Sequence, residues 1–209
     1  MPVAVARKQS LMSVADFLGF LRSRPDEERW ELINGIPMMM TPPTIAHQRI
    51  ASNLERYLND ALRERKPAWR ADREIGVVLK QFGHYRPEPE IAVVDADIDA
   101  GQRHADRFYL VAEVISASDE ASYESSEKTV IDTKLDFYKA HQHNRCVIVI
   151  RQDALEVSLH LRKQDGTWPE QPVVLRSADD VIEIGDMGRV CTVGDLYTGT
   201  SLAPRSRHP

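Results

Sequence analysis

Four charged residues stand in this sequence where the local pattern asks for something apolar or plain. Glu113 lies in "YLVAEVISAS", where six of the seven residues from Tyr109 to Ile115 are apolar. An ionised carboxylate inside such a strand is costly unless a cation or several donors face it. Lys134 lies in "DTKLDFYKA". On a helical wheel Val130 and Tyr138 fall about 40° to either side of it, and Ile131 and Phe137 about 60°. The ammonium is therefore centred on an apolar face, while Thr129, Asp132, Asp136 and Lys139 take the opposite one. Glu90 follows Pro89 in "RPEPEIAVV", at the mouth of an apolar strand, and Glu31 sits in "WELING" between Trp30 and Leu32.

Carboxylates and an ammonium sent to one place form a buried ion pair or hold a hard divalent cation beside a charge-stabilising lysine. Each residue alone has a plainer reading. Lys134 would cover apolar surface with its stem, Glu113 would be held by donors or a salt bridge, and Glu90 and Glu31 would face solvent. Neighbouring strands in a sheet that follows chain order would, however, bring Glu90 and Glu113 side by side, as two carboxylates that share a cation must be. His47, in the first turn of a helix and on its inward face, is a supporting candidate.

Several elements must position these groups. "SVADFLGFLRSRP" reads as a short helix capped by Ser13 and stopped at Pro25, with Val14, Phe17, Leu18 and Leu21 inward. "RWELINGIPMMM" is a hairpin turning at Asn34-Gly35. A second helix starts near Thr44, with Ile45, Ile50, Leu54, Leu58 and Leu62 in helical period until Pro67. Strands follow in "REIGVVL", with Ile75, Val77 and Leu79 alternating, then from Glu90 to Val94 and from Tyr109 to Ile115. A third helix spans about Glu127 to His141. "CVIVI", "ALEVSLHLR" and, after Asp165-Gly166, "PVVLR" supply further strands. The order predicts an α/β (α+β) fold, a mixed sheet flanked by helices, with an N-terminal helix and hairpin and a C-terminal β extension. One domain is expected over residues 12–202, between flexible ends at 1–11 and 203–209.

Composition narrows the function. Lys and Arg number 27 against 32 Asp and Glu, a formal charge of -5, so the global positive field of many nucleic-acid binders is missing and such binding needs a local patch. The densest candidate is "RERKPAWRADR", Arg63 to Arg73, which a solvated helix end explains equally well. Cys146 and Cys191 lack metal-site spacing and read as buried thiols. No apolar run approaches the roughly 18 residues of a membrane span, and "MPVAVARKQS" has no secretory core. A cytoplasmic protein is expected. "DADIDAG", Asp95 to Gly101, imitates a calcium loop, but its sixth position is Ala100 and its twelfth Asp106, and it reads as a polar strand-end loop. No Walker loop, G-x-S-x-G elbow or H-E-x-x-H occurs.

With these residues in this order, roughly residues 12 to 200 resemble the Uma-two-type family of restriction-endonuclease-like proteins, a branch of the PD-(D/E)XK nuclease fold. The resemblance rests on "WELINGIPMMMTPPTIAHQRI", "RPEPEIAVV", "LVAEVISAS" and "DTKLDFYKA". It implies Glu90 in the place of the motif's Asp, Glu113 as the second acid, Lys134 as a lysine moved from strand to helix with Tyr138 beside it, and Glu31 as an acid from the hairpin. Two positions depart from the common pattern: Glu90 is one methylene longer than Asp, and Ile115 occupies the usual lysine position.

The implied activity is Mg²⁺- or Mn²⁺-dependent hydrolysis of nucleic-acid phosphodiesters, with DNA the expected substrate. Glu90 and Glu113, with the Val114 carbonyl, would hold the metal. Lys134 would orient or deprotonate water, a role suited to an amine whose pKa burial can lower. Glu31 would hold a metal-bound water or a second ion. Cutting both strands of a duplex would suit a homodimer. The competing reading is a catalytically inactive protein of the same fold that binds nucleic acid or a protein, its acids and lysine kept as a buried ion pair. A two-carboxylate glycoside hydrolase gives Lys134 no role.

Overall fold

The computed structural model describes residues 11–99, 101–116, 119–120 and 128–204. Most of the expected flexible ends, and the predicted helix start at Glu127, lie outside them. Helix α1 (Val14–Leu21) begins where the Ser13 hydroxyl accepts the Asp16 N–H at 3.1 Å, and it buries only Phe17. Strands β1 (Trp30–Ile33) and β2 (Ile36–Met39) pair antiparallel around Asn34 and Gly35, both at positive φ (49° and 76°), as a tight hairpin turn of this type requires. A Cβ on Gly35 would come within 2.6 Å of Leu11 Cβ. Gly35→Ala should therefore cost about 1–3 kcal/mol, read as a lower urea midpoint at unchanged slope. An unchanged midpoint would show that the turn tolerates a side chain.

Helix α2 (Ile45–Arg65) is capped by Thr44 and buries Ile50, Leu54, Leu58 and Leu62. Ile45, expected on that stripe, is 69% exposed. Five residues before Ile50 is about 140° off the stripe at 100° per residue, whereas His47 falls near its centre.

The main correction concerns the next segment. "REIGVVL" yields only β4 (Gly76–Val77), paired in parallel with β6 (His104–Ala105) away from the main sheet. The strand that joins the main sheet is β3 (Trp69–Arg73), inside the cation-rich run. An edge strand bonded on one side needs little apolar sequence, and the charges of Arg70 and Asp72 hide the alternation that places Ala71 in the core. Three of the five cations of this run are drawn into ion pairs: Arg63 with Asp60 (2.7 Å), Arg70 with Asp72 (2.8 Å) and Lys66 with Asp186 (2.6 Å). Trp69 stacks on Tyr109 with ring centres 3.9 Å apart.

The main sheet has six strands in the order β10-β9-β8-β7-β5-β3, comprising β5 (Ile91–Asp95), β7 (Leu110–Ile115), β8 (Cys146–Arg151), β9 (Val157–Leu161) and β10 (Val173–Leu175). Only β7 and β8 run parallel, and the crossover that parallel strands need carries helix α3 (Val130–Lys139). One face packs on α2 and on β11 (Val181–Ile184), β12 (Gly188–Thr192) and α4 (Val193–Leu196). The other packs Val111, Ile115 and Val147 against Ile131, Phe137 and Tyr138 of α3. The fold is thus a mixed α+β sheet flanked by helices, as expected. Cys146 and Cys191 are buried and free, and burial pushes both thiols up, Cys191 to about 12. No helix among the described residues is long and apolar enough to cross a membrane.

Candidate active site

Register brings the acids together. In the antiparallel β5–β7 pair Ile91 lies opposite Ala112, so one step outward sets Glu90 opposite Glu113. Glu113 shares the sheet face of Val111 and Ile115, which is the face α3 covers. Lys134 and Tyr138, one turn apart on the buried side of α3, meet it there. Lys134 Nζ stands 3.3 Å from the Glu113 carboxylate and 2.9 Å from Glu31 Oε2, and the Tyr138 hydroxyl donates to Glu113 Oε1. Glu31 Oε1 accepts the Glu88 backbone N–H at 2.6 Å. Glu90 is held from two sides: Oε1 lies 2.8 Å from His47 Nε2, and Oε2 accepts the Val114 N–H at 3.4 Å.

Glu31, Glu113 and Lys134 are 6%, 4% and 5% exposed, so their charges act on one another with little screening. Burial pushes the Glu113 carboxyl well above the usual carboxylate range; Lys134 opposes the shift, and Glu90 and Glu31 add to it. Glu31 is raised for the same first reason, again against Lys134. Burial also works against ionised Glu90, but the His47 hydrogen bond and the Lys134 charge outweigh it and hold that carboxyl low. Burial disfavours the Lys134 ammonium too, yet Glu113, Glu31 and Glu90 hold its pKa far above the ordinary value. The expectation that burial would lower Lys134 into the range of a base is therefore corrected: three carboxylates outweigh desolvation and shift it upward, toward the ammonium. Tyr138 is likewise pushed up, by burial and then by Glu113, and stays a phenol donor.

The cluster opens into a cleft of about 490 Å³. Apolar Met38, Met39, Met40, Pro42 and Pro43 line it along with Arg29, Arg73 and Gln152. All four residues singled out in the sequence line it together with His47, and the buried Tyr138 joins the cluster through Glu113. Glu31 was not marked as buried by its pattern, since its strand has only four residues and its partner lies 103 positions away. Sequence reasoning missed the amides of Glu88 and Val114, because backbone donors carry no side-chain signature. It also took Arg73 as part of a surface run. Asp95, from the calcium-like stretch, instead accepts the Tyr109 hydroxyl at 2.6 Å.

Glu90 and Glu113 are oxygen donors of the kind that a hard divalent cation takes. Among the described residues no cage of three or more His, Cys, Asp or Glu side chains is preformed. Mg²⁺, however, is commonly held by one or two carboxylates plus waters and substrate oxygens. Burial is the main cause that raises Glu113 and Glu31, with the neighbouring carboxylates adding to it at Glu113.

Comparison with known proteins bears on fold and family. A solved structure described as "a putative nuclease belonging to DUF820", from Anabaena variabilis, superposes with a TM-score of 0.60 at 19% identity, covering 85% of this chain and 94% of the other. At that identity the likeness establishes the fold. No curated protein matches the chain. Residues 14–187 match the family Uma2, whose description is "Putative restriction endonuclease". That span exceeds half of the sequence and contains every residue of the cluster: the chain belongs to the Uma2 family.

Proposed function

We propose that the protein is a metal-dependent endonuclease that hydrolyses phosphodiester bonds of nucleic acid, DNA in the first instance. The observation that carries this reading is the meeting of Glu31, Glu90 and Glu113 around Lys134 in an open cleft. Glu90 and Glu113 would be the protein ligands of Mg²⁺ or Mn²⁺. Bound there, the ion would lower the pKa of a water and offset the charge of the phosphate.

The protein's own groups have distinct tasks. Lys134, held toward its ammonium form by the carboxylates around it, orients the attacking water and stabilises negative charge growing on the phosphate oxygens. Glu31 accepts from Lys134 and the Glu88 amide, and in this reading its task is to hold the lysine in place. Tyr138 locks one oxygen of Glu113, and His47 with the Val114 amide locks Glu90. Such fixed donors are what makes a catalytic constellation effective. Cutting both strands of a duplex would call for two copies of the chain.

The complete engagement of Lys134 by two carboxylates favours one other reading: a noncatalytic binding module whose cluster is a buried ion pair. Incubation with plasmid and with single-stranded DNA, in Mg²⁺, Mn²⁺ or chelator, separates the two. Cleavage that requires the metal and stops with chelator is the expected result. Intact DNA under every condition would favour the binding module.

A further inference from the structure

Arg73 closes β3, and its pairing with Ile91 places it beside the residue that follows Glu90. It lines the cleft with Glu90 and Lys134. The next residue, Glu74, adopts a left-handed φ of 57° and donates its backbone N–H to the Glu90 carbonyl at 3.2 Å. The end of β3 is thereby tied to the strand that carries the proposed metal ligand.

The cleft holds two other cationic side chains of this strength, and both are occupied. Lys134 sits between Glu31 and Glu113, while Arg29 joins Glu74 at 3.1 Å and Glu88 at 2.9 Å. Arg73 differs. Carboxylates are plentiful in the cleft lining, yet among the described residues its guanidinium has no ion pair, and its Nε is buried with no hydrogen-bond acceptor. A buried donor left unmet costs roughly 1–3 kcal/mol. A side chain of five donors in a fixed fork is also the one best matched to two oxygens of a phosphate. The Nε itself is shielded, so the two terminal nitrogens, which have no partner among the described residues, are the donors open to an arriving anion.

We propose that Arg73 is a substrate-positioning residue that binds the phosphate of the nucleic-acid strand adjoining the bond to be cut. The assignment rests on the nuclease reading above. It places a bidentate cation on the Glu90 side of the cleft and the Lys134 ammonium on the other, so the strand is gripped at a neighbouring phosphate while the reacting one meets the acids. Being in contact with the strand before and during reaction, Arg73 acts mainly on binding.

The test compares wild type, Arg73→Gln and Arg73→Lys. Anisotropy of labelled single-stranded and duplex oligonucleotides is followed over a salt series, with steady-state cleavage and thermal melting on the same preparations. Arg73→Gln should bind about tenfold more weakly, and its plot of log affinity against log salt should be shallower by about 0.7 to 0.9. KM should rise more than kcat falls. Melting should stay at or above the wild-type temperature, because a partnerless buried donor has been removed. Arg73→Lys should recover the salt slope but only part of the affinity. Unchanged affinity and slope in Arg73→Gln, with wild type still cutting, overturns this assignment alone. A fall in melting temperature that accounts for the lost affinity makes Arg73 structural and overturns it too. A wild type that neither binds nor cuts any strand removes the nuclease reading, and this assignment with it.

Discussion

Lys134→Met is expected to abolish cleavage and to melt well below wild type. Without the ammonium, Glu31 and Glu113 face each other almost fully buried. Breaking a buried pair by removing one partner typically costs about 3–5 kcal/mol, which in a domain of this size is a drop of about 6–20 °C. The loss should depend on pH in a definite direction. In the variant both carboxyls have folded pKa values raised above the unfolded ones, so the folded state binds more protons. Their contribution is full below the unfolded carboxylate range and disappears as pH rises through the raised values. The gap to wild type should therefore narrow on acidification, as urea melts at two pH values would show. Adding Glu31→Gln to Lys134→Met should restore part of the stability, because one uncompensated charge is gone. It should restore none of the activity, which falls by about 10²–10³-fold or more when a preorganised charge at the transition state is lost. Recovery of cleavage in the double variant would show that Lys134 serves the fold alone.

How much of this could be read from the chain depends on the kind of signal. The hairpin at Asn34-Gly35, α2 and the β7–α3–β8 unit follow from local patterns of turn residues and apolar period, and they stand where those patterns put them. The cluster was legible because Glu113 and Lys134 each violate the burial pattern of their own element. Two violations on consecutive elements point to a common partner. Strand β3 was not legible, since an edge strand of five residues with three charged side chains has the composition of a surface loop. The two residues of β4 show the converse: apolar alternation in Ile75, Val77 and Leu79 with no central strand to pair with. The direction of the Lys134 shift was also beyond the sequence, because it depends on how many carboxylates surround one ammonium, and Glu31 arrives from a distant hairpin.

Glu113→Gln should separate chemistry from stability in the opposite sense. The amide has the same shape, its oxygen can still accept from Tyr138, and Lys134 keeps Glu31 as a partner. Removing one charge from a crowd of three carboxylates also relieves repulsion from Glu90 and Glu31. Folding stability should therefore change by no more than about 1 kcal/mol, far less than in Lys134→Met. Cleavage should fall by about 10³-fold or more, since a neutral amide is a poor ligand for a hard divalent ion and leaves the transition state without its charge partner. A Glu113→Gln protein that is as unstable as Lys134→Met, yet still cuts, would turn this assignment around.

The most direct measurement is calorimetric titration of Mg²⁺ into wild type and Glu113→Gln, with plasmid and single-stranded DNA cleavage followed on the same samples. Uptake of the ion and cutting by wild type, both lost in a variant that still folds, is the predicted result, and it would mean that Glu113 faces a metal. A wild type that neither takes up the ion nor cuts, beside a Glu113→Gln that loses folding stability, would contradict it and leave Glu113 as the structural partner of Lys134.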